Sequence, residues 1–252
     1  MARPQQPNDV TRPTIDIRRG SDRFHTDAGW LDSHHSFSFG GHYDPSNTHH
    51  GLLLVSNDDV VKPGMGFMTH PHRDMEIVTW VLDGELEHKD SEGHTGILYP
   101  GLAQRMSAGT GIWHSEMNPR RNEEVHFIQM WVPPDTERIT PGYEQLDING
   151  SLERGGLVPI ASGKRQEGAI AIRQKHAVLW GGRLKRSETV HLPDAPFVHL
   201  YVARGGADLE QAGALKAGDA VRLTGAGARR LRADSQTGAE VLVWESEQEL
   251  TL

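Results

Sequence analysis

The sequence contains no cysteine. Disulfides are therefore excluded, no thiolate is available as a metal ligand, and the composition fits a reducing compartment. No run approaches the roughly 20 apolar residues that a membrane-spanning helix needs. Residues 1–19 are polar and proline-bearing, without the apolar stretch of a signal peptide. A cytoplasmic protein with no membrane association is the resulting expectation. A basic excess is missing as well: the formal charge is −8 and the pI about 6.0. That leaves no electrostatic footprint for phosphate contacts, which argues against a nucleic-acid partner. No sustained apolar stripe of period 3.6 is visible, so long helices are not expected.

Turn formers are what the chain has in quantity, with 28 glycines and 14 prolines separating short apolar runs. This pattern predicts many strands and few helices, an all-β protein. At 252 residues there is room for one large β domain or two of about 100–150 residues each.

Strand-like segments follow one another along the chain. Residues 29–39, Gly-Trp-Leu-Asp-Ser-His-His-Ser-Phe-Ser-Phe, alternate large and small polar residues as a half-buried strand does. Leu52-Leu53-Leu54-Val55 reads as a buried strand, Ile77 to Leu82 as another closed by the Asp83-Gly84 turn, and Val125 to Val132 as a third ended by Pro133-Pro134. The five histidines between His34 and His50 read as loop residues, and His88 as a surface residue. Phe37, Phe39, Met68, Trp80, Met106, Trp113 and Trp131 are assigned to core packing, with some of them expected to line a cavity mouth.

Two segments carry the chemistry. His70-Pro71-His72 and His114-Ser115-Glu116 each sit on or beside a strand, where residues i and i+2 share a face. Brought opposite each other, the pairs place three imidazoles and one carboxylate around one point. Such a donor set suits a divalent ion of Fe, Mn, Ni, Cu or Zn.

The chain also repeats itself. Residues 98–107, Leu-Tyr-Pro-Gly-Leu-Ala-Gln-Arg-Met-Ser, compare with residues 215–224, Leu-Lys-Ala-Gly-Asp-Ala-Val-Arg-Leu-Thr. In that register His114 falls on Leu231 and Glu116 on Ala233, and an earlier alignment places His70 on His191 but His72 on Pro193. The division expected is a flexible tail at residues 1–13, a metal-binding β domain at 14–140, and a second domain at 141–252 without metal ligands.

The spacing Gly64, five residues, His70-x-His72, three residues, Glu76, followed by Gly111, two residues, His114, three residues, Asn118, resembles the cupin signature. Cupins are small jelly-roll barrels. One departure is that the glycine after Glu76 comes one residue late, at Gly84. His70-Pro71-His72-Arg73-Asp74-Met75-Glu76, the run Ser107 to Glu116 and the run Trp30 to Phe39 more closely resemble the pirin family of bicupins, particularly bacterial members with quercetin 2,3-dioxygenase activity.

The resemblance implies two tandem cupin barrels and one divalent metal ion, iron(II) first, on His70, His72, His114 and Glu116. Glu76, a ligand in many other cupins, becomes a neighbour of the centre. It further implies cleavage of a flavonol such as quercetin by O2 with release of CO, Glu116 acting as base. The alternative within the family is a metal- and redox-dependent regulatory module that binds a protein partner.

Overall fold

The computed structural model describes residues 13–251. The flexible tail expected at residues 1–13 therefore lies, apart from Pro13, outside the described residues. Strands dominate; the described helical pieces are a four-residue turn, Asn149–Leu152, and a three-residue turn, Gly20–Asp22. None of the described helices is long and apolar enough to cross a membrane.

Two jelly-roll barrels make up the molecule. In the first, a seven-stranded sheet runs in the order Gly142–Asp147, Leu102–Ser107, Glu76–Asp83, Val125–Val132, Val55–Val61, Leu31–His35, Phe24–Asp27. It faces a four-stranded sheet in the order Gly66–His72, Ile112–Met117, Leu86–Asp90, Thr95–Leu98. Every pairing in both sheets is antiparallel. Glu76–Asp83 is buried along nearly its whole length, because one face lines the first barrel and the other packs against the second.

The second barrel is built on a ten-stranded sheet whose spine is Thr14–Arg18, Ala220–Thr224, Phe197–Leu209, Ala239–Ser246, Ala177–Leu184 and Val158–Ser162. The 13-residue strand Phe197–Leu209 serves both walls: its register shifts between Val202 and Arg204, and its far end pairs with Gly213–Lys216 and Arg230–Ala233. Such an irregularity bends the strand round the barrel corner.

The domain limits expected from sequence need two corrections. Thr14–Arg18, assigned to the first domain, pairs with Ala220–Thr224 of the second, where Ile15 and Ile17 cover that barrel's aliphatic core. Gly142–Asp147, assigned to the second domain, pairs with Leu102–Ser107 of the first. Each barrel thus takes one edge strand from beyond the boundary drawn by sequence.

The two large sheets pack face to face. Their shared core joins Trp80, Ile128 and Met130 of the first barrel to Tyr201, Leu242 and Trp244 of the second. Trp80 Nε1–H donates to Glu240 Oε1 at 3.0 Å, so the buried indole nitrogen is satisfied across the interface.

The interiors differ in kind. Leu184, Val198, Leu200, Val202, Leu231 and Val241 fill the second barrel with aliphatic packing. The first turns Asn57, Asp59, Thr79, Gln104, Glu116 and Gln129 inward, all buried. Polar side chains cannot close a barrel as aliphatic ones do, and the first barrel retains a cavity of about 830 Å3.

Candidate metal centre

His70 and His72 lie on Gly66–His72, and His114 and Glu116 on its antiparallel neighbour Ile112–Met117. His114 stands directly opposite His70, and the register shifts between His114 and Glu116. The strands approach closely at Gly66: a Cβ there would meet the Glu116 carbonyl oxygen at 2.2 Å, so only glycine fits.

The three imidazoles converge. Ring centroids are 4.5 Å apart for His70 and His114, 4.9 Å for His70 and His72, and 5.0 Å for His72 and His114. One nitrogen from each ring lies within 4.8 Å of the others. His70 Nδ1 donates to the Met68 carbonyl at 2.7 Å, which leaves Nε2 as the ring nitrogen available to a ligand.

His72 Nε2 and both nitrogens of His114 are buried without a hydrogen-bond partner among the described residues. Buried ring nitrogens normally find partners. Burial, with the neighbouring imidazoles second, pushes His72 down to about 4 and His114 down to about 3. The rings are therefore neutral near pH 7, the form that ligates metal. Orphaned, neutral and clustered, they fit a metal ion.

Glu116 is 3% exposed, and one of its oxygens lies within 4.8 Å of donor atoms of His114 and His88. Gln129 Nε2 donates to both of its oxygens, at 2.9 and 2.7 Å, and Gln129 Oε1 accepts from Trp131 Nε1–H at 3.1 Å. The carboxylate is thereby held by a chain that ends in an indole. His72 packs edge-on against the same Trp131 ring at 4.8 Å.

Several side chains lie where the sequence reading did not put them. His88, assigned to the surface, is buried; donor atoms of His88, His114 and Glu116 also fall within 4.8 Å of one another. Its Nε2 lies 3.2 Å from Asp90 Oδ2, and its ring stacks on Tyr143. His35 and His50, read as loop histidines, are buried as well.

Glu76 stands apart from the cluster. It accepts from the Ser107 hydroxyl at 2.9 Å and from the Arg173 backbone at 3.0 Å, fastening the two barrels together. Met68 and Trp113, assigned to the core, are 74% and 54% exposed. Met68 lies at the cavity mouth, and Trp113 is on the outer face of the strand that turns His114 inward.

The cavity above the cluster has apolar walls, among them Phe39, Phe67 and Trp131, and a polar end formed by Ser33, His35, Asn57 and Asp59. Burial pushes the Asp59 carboxyl up to about 7, against the hydrogen bond from Ser33. Gln129 and Asp59 were not singled out from sequence.

In the second barrel the corresponding strands are Thr189–His191 and Arg230–Ala233, with Val190 opposite Leu231. Val190, not the exposed His191, therefore occupies the place of His70. Valine and leucine replace two imidazoles.

Two jelly rolls in tandem, the first with a three-histidine group able to hold a metal ion and the second filled, define a bicupin. Comparison with known proteins fixes the family. The Pirin model matches residues 17–132, and the model for the quercetinase C-terminal cupin domain matches residues 159–245. The chain belongs to the pirin family.

A Mycobacterium bovis protein named "Putative quercetin 2,3-dioxygenase" is 59% identical over 233 residues, 92% of this chain and 95% of that one. The quercetin 2,3-dioxygenase of Escherichia coli K12 is 42% identical over 177 residues, 70% of this chain and 75% of that one. The crystal structure of the bacterial pirin YhhW from E. coli in complex with nickel(II) matches with a TM-score of 0.85 at 35% identity, covering 94% of this chain and all of that one.

Proposed function

We propose that the chain is a metal-dependent dioxygenase that cleaves the heterocyclic ring of flavonols such as quercetin and releases CO. His70, His72, His114 and Glu116 would hold one divalent ion, iron(II) first, with nickel(II) and manganese(II) suited to the same donors. The observation that carries this reading is the place of His70, His72 and Glu116 on the lining of an apolar-walled cavity of about 830 Å3, well within the range of small-molecule sites, with His114 in donor range of both histidines. The names of the relatives support it.

A bound ion would supply a Lewis-acid position that lowers the pKa of the flavonol 3-hydroxyl. Glu116 accepts the proton of that hydroxyl, and Gln129 sets the direction in which the carboxylate faces. Phe39 and Trp131, whose rings meet edge to face at 5.6 Å, offer a wall for the flat substrate. The walls keep water from the reacting carbons. The flavonolate supplies the electrons: O2 adds across C2 and C4, the ring opens, C3 leaves as CO, and both oxygen atoms remain in the phenolic ester. No external reductant is required.

Aerobic turnover of quercetin by protein loaded with Fe(II), Mn, Ni, Cu or Zn tests the reading, following flavonol absorbance and CO, with His72→Ala as control. Metal-dependent CO release that disappears in the variant is the expected result. Metal-loaded protein that releases no CO from any flavonol would overturn it.

A further inference from the structure

The internal repeat contains an asymmetry that lies outside the proposed active centre. In the first barrel Arg105 stands opposite Glu144 of the adjoining edge strand, and Arg105 Nη2 donates to Glu144 Oε2 at 2.9 Å. The same guanidinium crosses to the second barrel, where Nε donates to the Ala171 carbonyl at 2.9 Å. Arg222 is its counterpart in the repeat, opposite Asp16 of the edge strand Thr14–Arg18. It too crosses between barrels, with Nη2 donating to the Ser36 carbonyl at 2.9 Å and to Asn47 Oδ1 at 2.6 Å.

The carboxylate is what the second arrangement lacks. Asp16 is one methylene shorter than glutamate, and its Oδ2 accepts from Arg18 Nε at 2.8 Å instead. Among the described residues Arg222 has no ion pair, and its buried Nε has no partner. Its guanidinium carbon lies 4.4 Å over the Phe37 ring. The residue is only 6% exposed, and a buried cation without a hydrogen-bonded carboxylate is costly, the charge of Asp16 offsetting only part of the burial. Burial, then the nearby Arg18, pulls Arg222 down to about 10.

A pocket of about 290 Å3 opens at this point, lined by four arginines, Arg18, Arg19, Arg23 and Arg222, against two aspartates, Asp16 and Asp22. Arg19 is engaged by Asp219, Arg18 by Asp16 and Arg23 by Asp58, which leaves Arg222 as the one of the four without an ion pair among the described residues. The hydroxyl of Ser36, also on the pocket wall, is buried without a partner among the described residues. His35 lines both this pocket and the large cavity, so the two sites share one wall without merging.

We propose that this interbarrel pocket binds a small carboxylate anion, which takes on Arg222 the place that Glu144 has on Arg105. The pocket volume suits a mono- or dicarboxylic acid of a few carbons. Neither the fold nor the proposed ring cleavage requires it, so the two readings stand or fall separately.

The test is thermal unfolding and calorimetric titration of the full chain with acetate, malonate and succinate, with inorganic phosphate and chloride at matched ionic strength. The expected result is a saturable rise of a few degrees in Tm with a carboxylate, above any effect of chloride. D16E supplies the longer carboxylate from within. It should raise Tm in the absence of ligand and remove the response. R222M should remove the response as well, and if it fails to fold, D16E decides alone. An unchanged response in D16E, a response to phosphate but to no carboxylate, or none beyond that of chloride would overturn the proposal.

Discussion

Gln129→Met probes the support of the centre with little change in side-chain volume. In the protein, Gln129 Nε2 donates to both Glu116 oxygens at 2.9 and 2.7 Å, while its Oε1 accepts from Trp131. The thioether keeps the packing but cannot donate. A hydrogen bond to a charged, buried carboxylate contributes about 1.5–3 kcal/mol, and loss of such a partner weakens metal sites roughly 10- to 100-fold. Trp131→Phe removes the donor to Gln129 and part of the ring that packs on His72, but leaves both hydrogen bonds to Glu116, and should cost less. The assay is competition for the metal against a chelator at fixed pH, with folding checked by near-UV circular dichroism. A folded Gln129→Met protein that binds metal within about twofold of wild type would show that Glu116 needs no such support, and the geometry drawn around it would be wrong.

Glu116→Gln, which keeps the shape but removes the base, should retain the fold and lose flavonol turnover; full activity would exclude Glu116 from both of its roles. Removing bound metal with a chelator should lower Tm, since an ion at about 100 times its Kd adds about 2.7 kcal/mol of stability. An unaltered Tm would show that no ion binds the folded protein in preference to the unfolded chain. Trp80→Phe leaves the buried Glu240 carboxylate without its indole donor and should cost about 1–3 kcal/mol in urea unfolding; a neutral variant would contradict the interbarrel role.

Acid should loosen the interface between the barrels through His50. Burial pushes its pKa from 6.5 to about 4 in the folded protein, so the unfolded chain takes up its proton first as pH falls. The contribution is complete above 6.5, declines through the window and levels off below about 4, for a total of about 3 kcal/mol. His199, held well below the usual histidine value by burial and then by Arg222, acts in the same direction. His50→Phe should flatten the profile between pH 7 and 4.5 relative to wild type, and parallel profiles would refute this cause.

The parts of the site visible in sequence are those governed by strand periodicity. His70 with His72, and His114 with Glu116, share faces because residues two apart must, and the same alternation turns Trp113 outward once His114 points in. Assigning Trp113 to the core follows its hydrophobicity and ignores that constraint. His88 escapes notice for the converse reason. Its strand, Leu86–Asp90, turns a leucine, a histidine and an aspartate inward, and a polar inner face reads as a surface unless the barrel is known to be hollow. Gln129 is one inward residue among many until its register with Asn57 and Thr79 is known. Thr14–Arg18 alternates as an edge strand should, but alternation does not say which sheet it joins. Its place follows from long-range pairing with Ala220–Thr224, which no local pattern encodes.

The central claim is that the first barrel brings O2 to a flavonol, and isotopically labelled dioxygen tests it most directly. Turnover of quercetin under labelled O2 by the metal-loaded protein should place both labelled atoms in the phenolic ester and none in the CO, in amounts matching the flavonol lost. Label in water or peroxide with an unlabelled product, or ester carrying a single labelled atom, would contradict the account.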